Sequence, residues 1–322
     1  MTGMLAAALL VALVVMMTLG GCAMVQDVGS HATQGSSGPG ATDRSSQATP
    51  FPWEEGAELT EDLGRVAGTL GFDEDDIERM RAEGVDEASW RRLAPALAAE
   101  EHMAQKYGIG FTAIDCSFNL TDDQAGRRAC MVRVTPQEGA NAGSEYLVRC
   151  DWTEDPAAPV WTEDYLAAAR ADEYAAYVEG LLEPGLGGLE RQVVVSASLY
   201  GGDMYGDDEG PNTPIEDLAR THMGELFVYV RRSEGMDEAA FDEFAASVMD
   251  AARGTGLRLY VTVGCIDRLE ENEELTPEVG AGAMRNRDAT EAERMLPVCT
   301  WRRAGAVNGS GAPQEPGAQA SS

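Results

Sequence analysis

Three short apolar or alternating runs follow one another in the middle of the chain: Phe111 to Phe118, Ala129 to Val134 and Tyr146 to Trp152. Only polar turn segments separate them, Asp122-Asp123-Gln124-Ala125-Gly126 and then Pro136 to Gly143. Sequential strands with short polar connections usually pair antiparallel. This block therefore predicts a meander, and the other elements must supply the layer that covers it.

The flanking patterns are helical. Residues 58 to 107 read as a helical segment. Thr60 with Glu61 and Asp62 is a good N-cap start. Asp73 with Asp76 repeats that signature ahead of Ile77 and Met80, and Gly84 closes the piece. Asp86 begins another helix, with Trp90, Leu93, Leu97 and Met103 on one face. Pro95 is expected to kink or divide it, and Gly108 is a C-cap signal. After the meander, Val160 to Ala168 reads equally as a fourth strand or as the start of a helix. Tyr174, Tyr177, Val178 and Leu181 then mark an amphipathic helix ended by Pro184 and Gly185. Arg191 to Tyr200 is the clearest strand, because Val193, Val194 and Val195 resist helix through β-branching. Thr213-Pro214-Ile215-Glu216 predicts a cap, a proline at the first helical position and a glutamate at the third. Leu226 to Val230 is a strand. Asp237 to Arg253 is the best helix, with Phe241, Phe244, Ala245, Val248, Met249 and Ala252 on one face, stopped by Gly254 and Gly256. Leu257 to Gly264 is the strand it packs on, and Thr276-Pro277 opens a final short segment. There is no convincing internal repeat. The order predicts an α+β fold, mostly antiparallel sheet with helices packed on one face, preceded by a helical segment.

The N-terminus has a different character. An apolar stretch from Met4 to Leu19 runs into Leu19-Gly20-Gly21-Cys22. At about 15 residues it is short for a membrane span of roughly 20, and its two closing glycines suit a cleavage site. The run resembles the lipobox of bacterial lipoproteins. That resemblance implies cleavage before Cys22, a lipid on the Cys22 thiol, and a mature chain tethered to the extracytoplasmic face of the cell membrane. One departure is the lack of Lys or Arg in Met1-Thr2-Gly3-Met4. From Ala23 to about Ala57 the chain is Gly, Ser, Thr, Gln, Ala and Pro with few large apolar residues, a composition that cannot offset its ordering entropy. The expected organisation is a signal peptide at 1–21, a polar tether at 22–57, the helical segment at 58–107, an α+β domain at 108–303 and a low-complexity tail at 304–322.

An exported chain can form disulfides. Besides Cys22 there are Cys116, Cys130, Cys150, Cys265 and Cys299. Five is odd, so one thiol is left over or joins another chain. Cys116, Cys130 and Cys150 fall on three successive predicted strands, where two of them can pair across a sheet, Cys130 with Cys150 among the options. Cys265 and Cys299 are the natural second pair from their shared position near the end of the domain. No Cys-x-x-Cys occurs, which disfavours thioredoxin-type redox chemistry.

The formal net charge is −31, which argues against DNA or RNA as a partner. It also repels anionic lipid heads, so anchoring falls to the lipid. The single lysine, Lys106, shows a bias toward Asp, Glu and Arg throughout the chain, and the charge is read as solubility. Motifs of common catalysts are absent: no His-Glu-x-x-His, no Gly-x-Ser-x-Gly, no P-loop and no dinucleotide-binding glycine pattern opening a helix. No catalytic residue is assigned and no cofactor is expected. His102 is read as a surface or interhelix residue. One acidic loop is the candidate for a hard cation such as Ca²⁺, through Asp203, Asp207, Asp208 and Glu209. It lacks the EF-hand register and reads better as a solvated loop between a strand and a helix.

The run Glu-His-Met-Ala-Gln-Lys-Tyr-Gly-Ile-Gly-Phe (101–111), the pairs Glu173-Tyr174 and Tyr177-Val178, and Asp-Glu-Ala-Ala-Phe-Asp-Glu-Phe (237–244) together resemble uncharacterised lipoproteins of Gram-positive gut bacteria. The likeness covers roughly residues 98 to 268 and carries no catalytic or ligand residues. The expectation is a lipid-anchored, non-enzymatic binding or accessory protein of the cell envelope, engaging an envelope protein or a small ligand. The alternative is an envelope hydrolase built on two carboxylates, which needs no histidine. A two-lobed solute-binding protein would need repeated parallel βαβ units instead of an early meander.

Overall fold

Four of the caps read from sequence are made in the computed structural model, which describes residues 49–119, 128–152, 157–186, 193–233, 235–269, 274–285 and 297–308. Thr60 Oγ1 accepts from Leu63 N, and Asp73, Asp86 and Asp237 accept from Asp76 N, Ser89 N and Ala240 N. Each satisfies a backbone donor that the first helical turn leaves without a partner. The helices they start are α1 (Glu61–Thr69), α2 (Glu74–Glu83), α3 (Glu87–Tyr107) and α7 (Glu238–Gly254). Gly108 closes α3 in the left-handed region at φ 72°.

Pro95 neither ends nor divides α3, which runs unbroken from Glu87 to Tyr107. Leu93, Ala96, Ala99 and Met103 are all fully buried along it. Their burial outweighs the one backbone bond that a mid-helix proline forfeits.

The meander follows: β1 (Phe111–Asn119), β2 (Arg128–Pro136) and β3 (Tyr146–Trp152). They pair antiparallel, with Val132 opposite Cys116 on one side and Val148 on the other. The ambiguous stretch after them is both things in turn, a strand β4 (Val160–Glu163) and a short helix α4 (Tyr165–Ala169). Helix α5 (Ala171–Leu186) runs past Pro184, and β5 (Val193–Leu199) leads to the two-residue strand β6 (Tyr205–Gly206). Helix α6 (Ile215–Thr221), β7 (Gly224–Arg231), α7, β8 (Leu259–Asp267), α8 (Pro277–Arg285) and β9 (Val298–Val307) complete the order.

Two sheets result. The first has strand order β1-β2-β3-β4-β6, the second β5-β7-β8-β9. All pairings are antiparallel except β7 with β8, which α7 joins as a crossover. The fold is α+β with mostly antiparallel sheets. The helical segment is not a separate unit: Leu63, Val66, Met80, Leu93 and Met103 share one core with Phe111, Val132, Val134 and Val148. The first sheet has its helices on one face. The second is covered on both, because Val228, Val261 and Val263 meet the side of α5 and α7 while Tyr229, Ile266 and Cys299 meet α8.

Both outer boundaries move. Phe51 packs on the end of the first sheet and Trp53 Nε1 donates to Val85 O at 2.8 Å, so the last residues of the expected tether belong to the fold. Strand β9 carries Ala304 to Val307, where a low-complexity tail was expected. Its run Arg302-Arg303-Ala304-Gly305-Ala306 has little β-propensity, and it is a strand because β8 offers a backbone edge to pair with.

Candidate functional site

The acidic loop is where the two sheets are joined. After β5, in the second sheet, the chain crosses over and lays β6 along β4 of the first, Glu163 opposite Tyr205. It then returns through α6 to β7. Residues 203 to 213 thus form a clasp, and Lys106, Arg170, His102 and His222 converge on it.

Lys106, in the last turn of α3, sits at the centre. Its Nζ donates to Glu163 Oε1 at 2.9 Å and to Gly206 O at 2.7 Å. Its side chain is 9 % exposed and that of Glu163 is 0 % exposed. Tyr107 OH donates to the same Glu163 oxygen at 2.6 Å, and Leu166 N donates to Oε2 at 3.0 Å. Both oxygens of the carboxylate are therefore engaged, by one cation, one phenol and one backbone donor, which is what a buried charge requires. Burial first, and then the Glu163 charge, push the Tyr107 phenol far above its ordinary range, so it stays a proton donor.

Arg170 follows α4 and holds the far side of the clasp. Its Nη1 donates to Pro211 O at 2.9 Å and Thr213 O at 2.8 Å, and its Nε to Glu173 at 2.7 Å. This explains a difference from the sequence reading. The hydroxyl of Thr213 does not cap α6; it accepts from Gly210 N at 2.8 Å and closes the loop, so the helix begins at Ile215 with no side-chain cap.

The two histidines of the described residues take the carboxylates. His222, at the end of α6, has Nε2 2.6 Å from Glu209 and Nδ1 3.3 Å from Asp203, and its ring lies against the buried Tyr205 at 4.5 Å. His102 stacks on Trp161 at 4.9 Å, and its Nε2 is 3.3 Å from Asp207. Burial holds the His102 imidazole below the usual histidine range, and the Asp207 charge pulls the other way.

Three of the four candidate carboxylates therefore meet histidines. Asp203 and Glu209 clasp one histidine, Asp207 faces another, and Asp207 and Asp208 are exposed. Among the described residues no group of three or more His, Cys, Asp or Glu side chains is placed to hold a metal ion. His102 is an interhelix residue only in part: it reaches from α3 to a strand and to the clasp. Sequence reasoning missed Glu163 and Arg170 altogether. The available signal was Lys106, a lone lysine in a chain that otherwise uses arginine.

The cysteines divide unequally. Cys130 and Cys150 are directly opposite each other on β2 and β3, and both are fully buried. Cys265 and Cys299 are not a pair. The register shifts at Cys265, so that Cys265 faces Trp301 and Ile266 faces Cys299. Cys265 joins the core under α7, with its sulfur 3.6 Å from that of Met236, while Cys299 joins the core under α8. Residues on opposite faces of a sheet cannot be bridged. Cys22 lies outside the described residues.

No protein-family model matches this sequence, and none of the curated proteins is similar to it. Among solved structures, a protein of the DUF5037 family from Ruminococcus gnavus is distantly similar. It is 11 % identical with a TM-score of 0.28, over 66 % of this chain and 90 % of that one.

Proposed function

We propose that this protein is a lipid-anchored component of the extracytoplasmic face of the cell membrane that binds an envelope partner or ligand instead of turning over a substrate. The observation that carries the reading is Leu19-Gly20-Gly21-Cys22 at the end of an apolar run, ahead of a polar stretch that leads to the folded body at residue 49. No helix among the described residues is long and apolar enough to cross a membrane, so the described body has no helical span to set against a lipid anchor. The fully buried Glu163 and the nearly buried Glu100 favour binding over carboxylate hydrolysis. Glu163 is held by Lys106, Tyr107 and Leu166, and Glu100 by Arg65 and the Ala113 backbone. A general acid or base needs an oxygen left for substrate.

Cys22→Ser tests the anchor. The variant is expected to leave the membrane fraction or to accumulate as an uncleaved precursor without incorporated palmitate. Normal cleavage with normal membrane retention refutes the lipid. Cross-linking in the native cell, followed by recovery and mass spectrometry, tests the binding reading. One reproducible envelope partner supports it; turnover of an envelope glycan by the purified protein overturns it.

A further inference from the structure

A single row of side chains crosses four strands at one end of the first sheet. Phe118 on β1 is opposite Cys130 on β2, Cys130 is opposite Cys150 on β3, and Cys150 is opposite Trp161 on β4. Trp152 packs into the same cluster, and Phe51 lies edge-on against Phe118, Trp152 and Trp161 at 6.3–6.4 Å, closing it from outside. The two central members are thiols.

We propose that Cys130 and Cys150 are the one disulfide-forming pair among the cysteines of the folded body, and that Cys116, Cys265 and Cys299 remain thiols. Directly opposed residues on antiparallel strands have Cα atoms about 4.5–5.5 Å apart, inside the roughly 4.4–6.8 Å that a disulfide spans. The side-chain contact with Cys150, together with burial, pushes the Cys130 thiol well above its ordinary range, so Cys130 is a poor nucleophile once the reduced protein has folded. Cys116 is opposite Val132, which makes it only a diagonal neighbour of Cys130. Diagonal side chains stand too far apart for the Cβ separation of about 4 Å that a bridge needs. Cys265 and Cys299 are on opposite faces of the other sheet. Strand register therefore leaves Cys130 and Cys150 as the one directly opposed pair among the five.

The chemistry is exchange with a disulfide oxidant, either a low-molecular-weight disulfide or a disulfide-bearing protein. One cysteine thiolate attacks the oxidant, breaking its S–S bond, releasing one thiolate and forming a mixed disulfide. The second cysteine then attacks the protein sulfur of that mixed disulfide and releases the other half. Two electrons pass from the cysteine sulfurs to the oxidant, and the two thiol protons end on the departing thiols. Because both cysteines are shielded once folded, the exchange precedes closure of the β2–β3 hairpin. A supply of oxidant in the cell rests on the extracytoplasmic reading above; the choice of partners does not.

The test refolds the full chain in a buffer of reduced and oxidised glutathione, quenches with acid, alkylates, and maps the unreduced peptides by mass spectrometry. The expected result is one cross-linked species joining the Cys130 and Cys150 peptides, with Cys116, Cys265 and Cys299 alkylated. Adding a reductant is expected to lower Tm by roughly 5–10 °C, and to have no such effect on the Cys130→Ala, Cys150→Ala double variant. A bridge to any other cysteine, several bridges in parallel, or none at all overturns the assignment. Mapping the protein recovered from native membranes separates the two readings. A pair that forms on refolding but is alkylated in native material leaves the pairing intact and refutes the extracytoplasmic address.

Discussion

Glu163 has no solvent contact, and its partners come from three elements: Lys106 and Tyr107 from α3, Leu166 from α4 and, through the shared lysine, Gly206 from β6. Removing one charge of such a pair costs more than removing both, because the survivor stays buried and uncompensated. Glu163→Gln is expected to destabilise by about 3–5 kcal/mol in urea unfolding, and the Lys106→Met, Glu163→Gln double variant by clearly less. Equal losses would mean that the lysine reaches solvent when its partner is gone. The neighbouring Asp164 behaves in the opposite sense. Burial pushes its carboxyl up to about 6 from 3.8, against the pull of the Leu147 N–H that it accepts. Below pH 3.8 the group is neutral in folded and unfolded chains alike and has no effect. Between that value and about 6 the folded chain holds the proton more tightly, so stability falls as pH rises. Asp164→Asn keeps an oxygen for Leu147 and is expected to stabilise by on the order of 2 kcal/mol at pH 7, with the gain vanishing near pH 4. A gain of the same size at both pH values would place its origin elsewhere.

At the scale of elements, local signals and packing agree in α7. Asp237 caps it, and Phe241, Phe244, Ala245, Val248 and Ala252 are buried against the second sheet as their spacing predicts. Phe244→Asp is expected to cost several kcal/mol, since it places a carboxylate on that face. A melting curve unchanged by the substitution would show that the helix packs by another face. Elements with weaker signals were read less well, for identifiable reasons. Helix α3 keeps Pro95 because four buried side chains hold it to β1 and β2. The run Arg302 to Ala306 of β9 has little propensity of its own and is a strand through its pairing with β8; beside it, Trp301 stacks on Phe241 at 5.9 Å under the Arg232 guanidinium. Neither fact is local in sequence, so no window of neighbouring residues reports it.

For the whole molecule, the clasp is one of the connections between the two sheets, beside the packing of Tyr107 against both cores. Arg170 is 8 % exposed and reaches carbonyls at Gly210, Pro211 and Thr213. Arg170→Ala is expected to free the clasp while leaving both cores in place. Hydrogen exchange should accelerate in residues 203–213 far more than in β2 or β8, and limited proteolysis should cut there first. Uniform loss of protection would instead mean that the sheets unfold as one with the clasp. The sequence by itself determined the meander, four of the helix caps and the burial of the α7 face, because each depends on residues a few positions apart: β-alternation, a cap donor three residues on, a repeat near 3.6. It also carries the lipobox-like run, a linear pattern that is legible without any tertiary structure. Tertiary structure alone brought the acidic loop against two histidines. It alone set Cys130 against Cys150 and parted Cys265 from Cys299. These outcomes turn on strand register and on which side chains meet from elements up to a hundred residues apart. A one-residue slip in register exchanges every such neighbour.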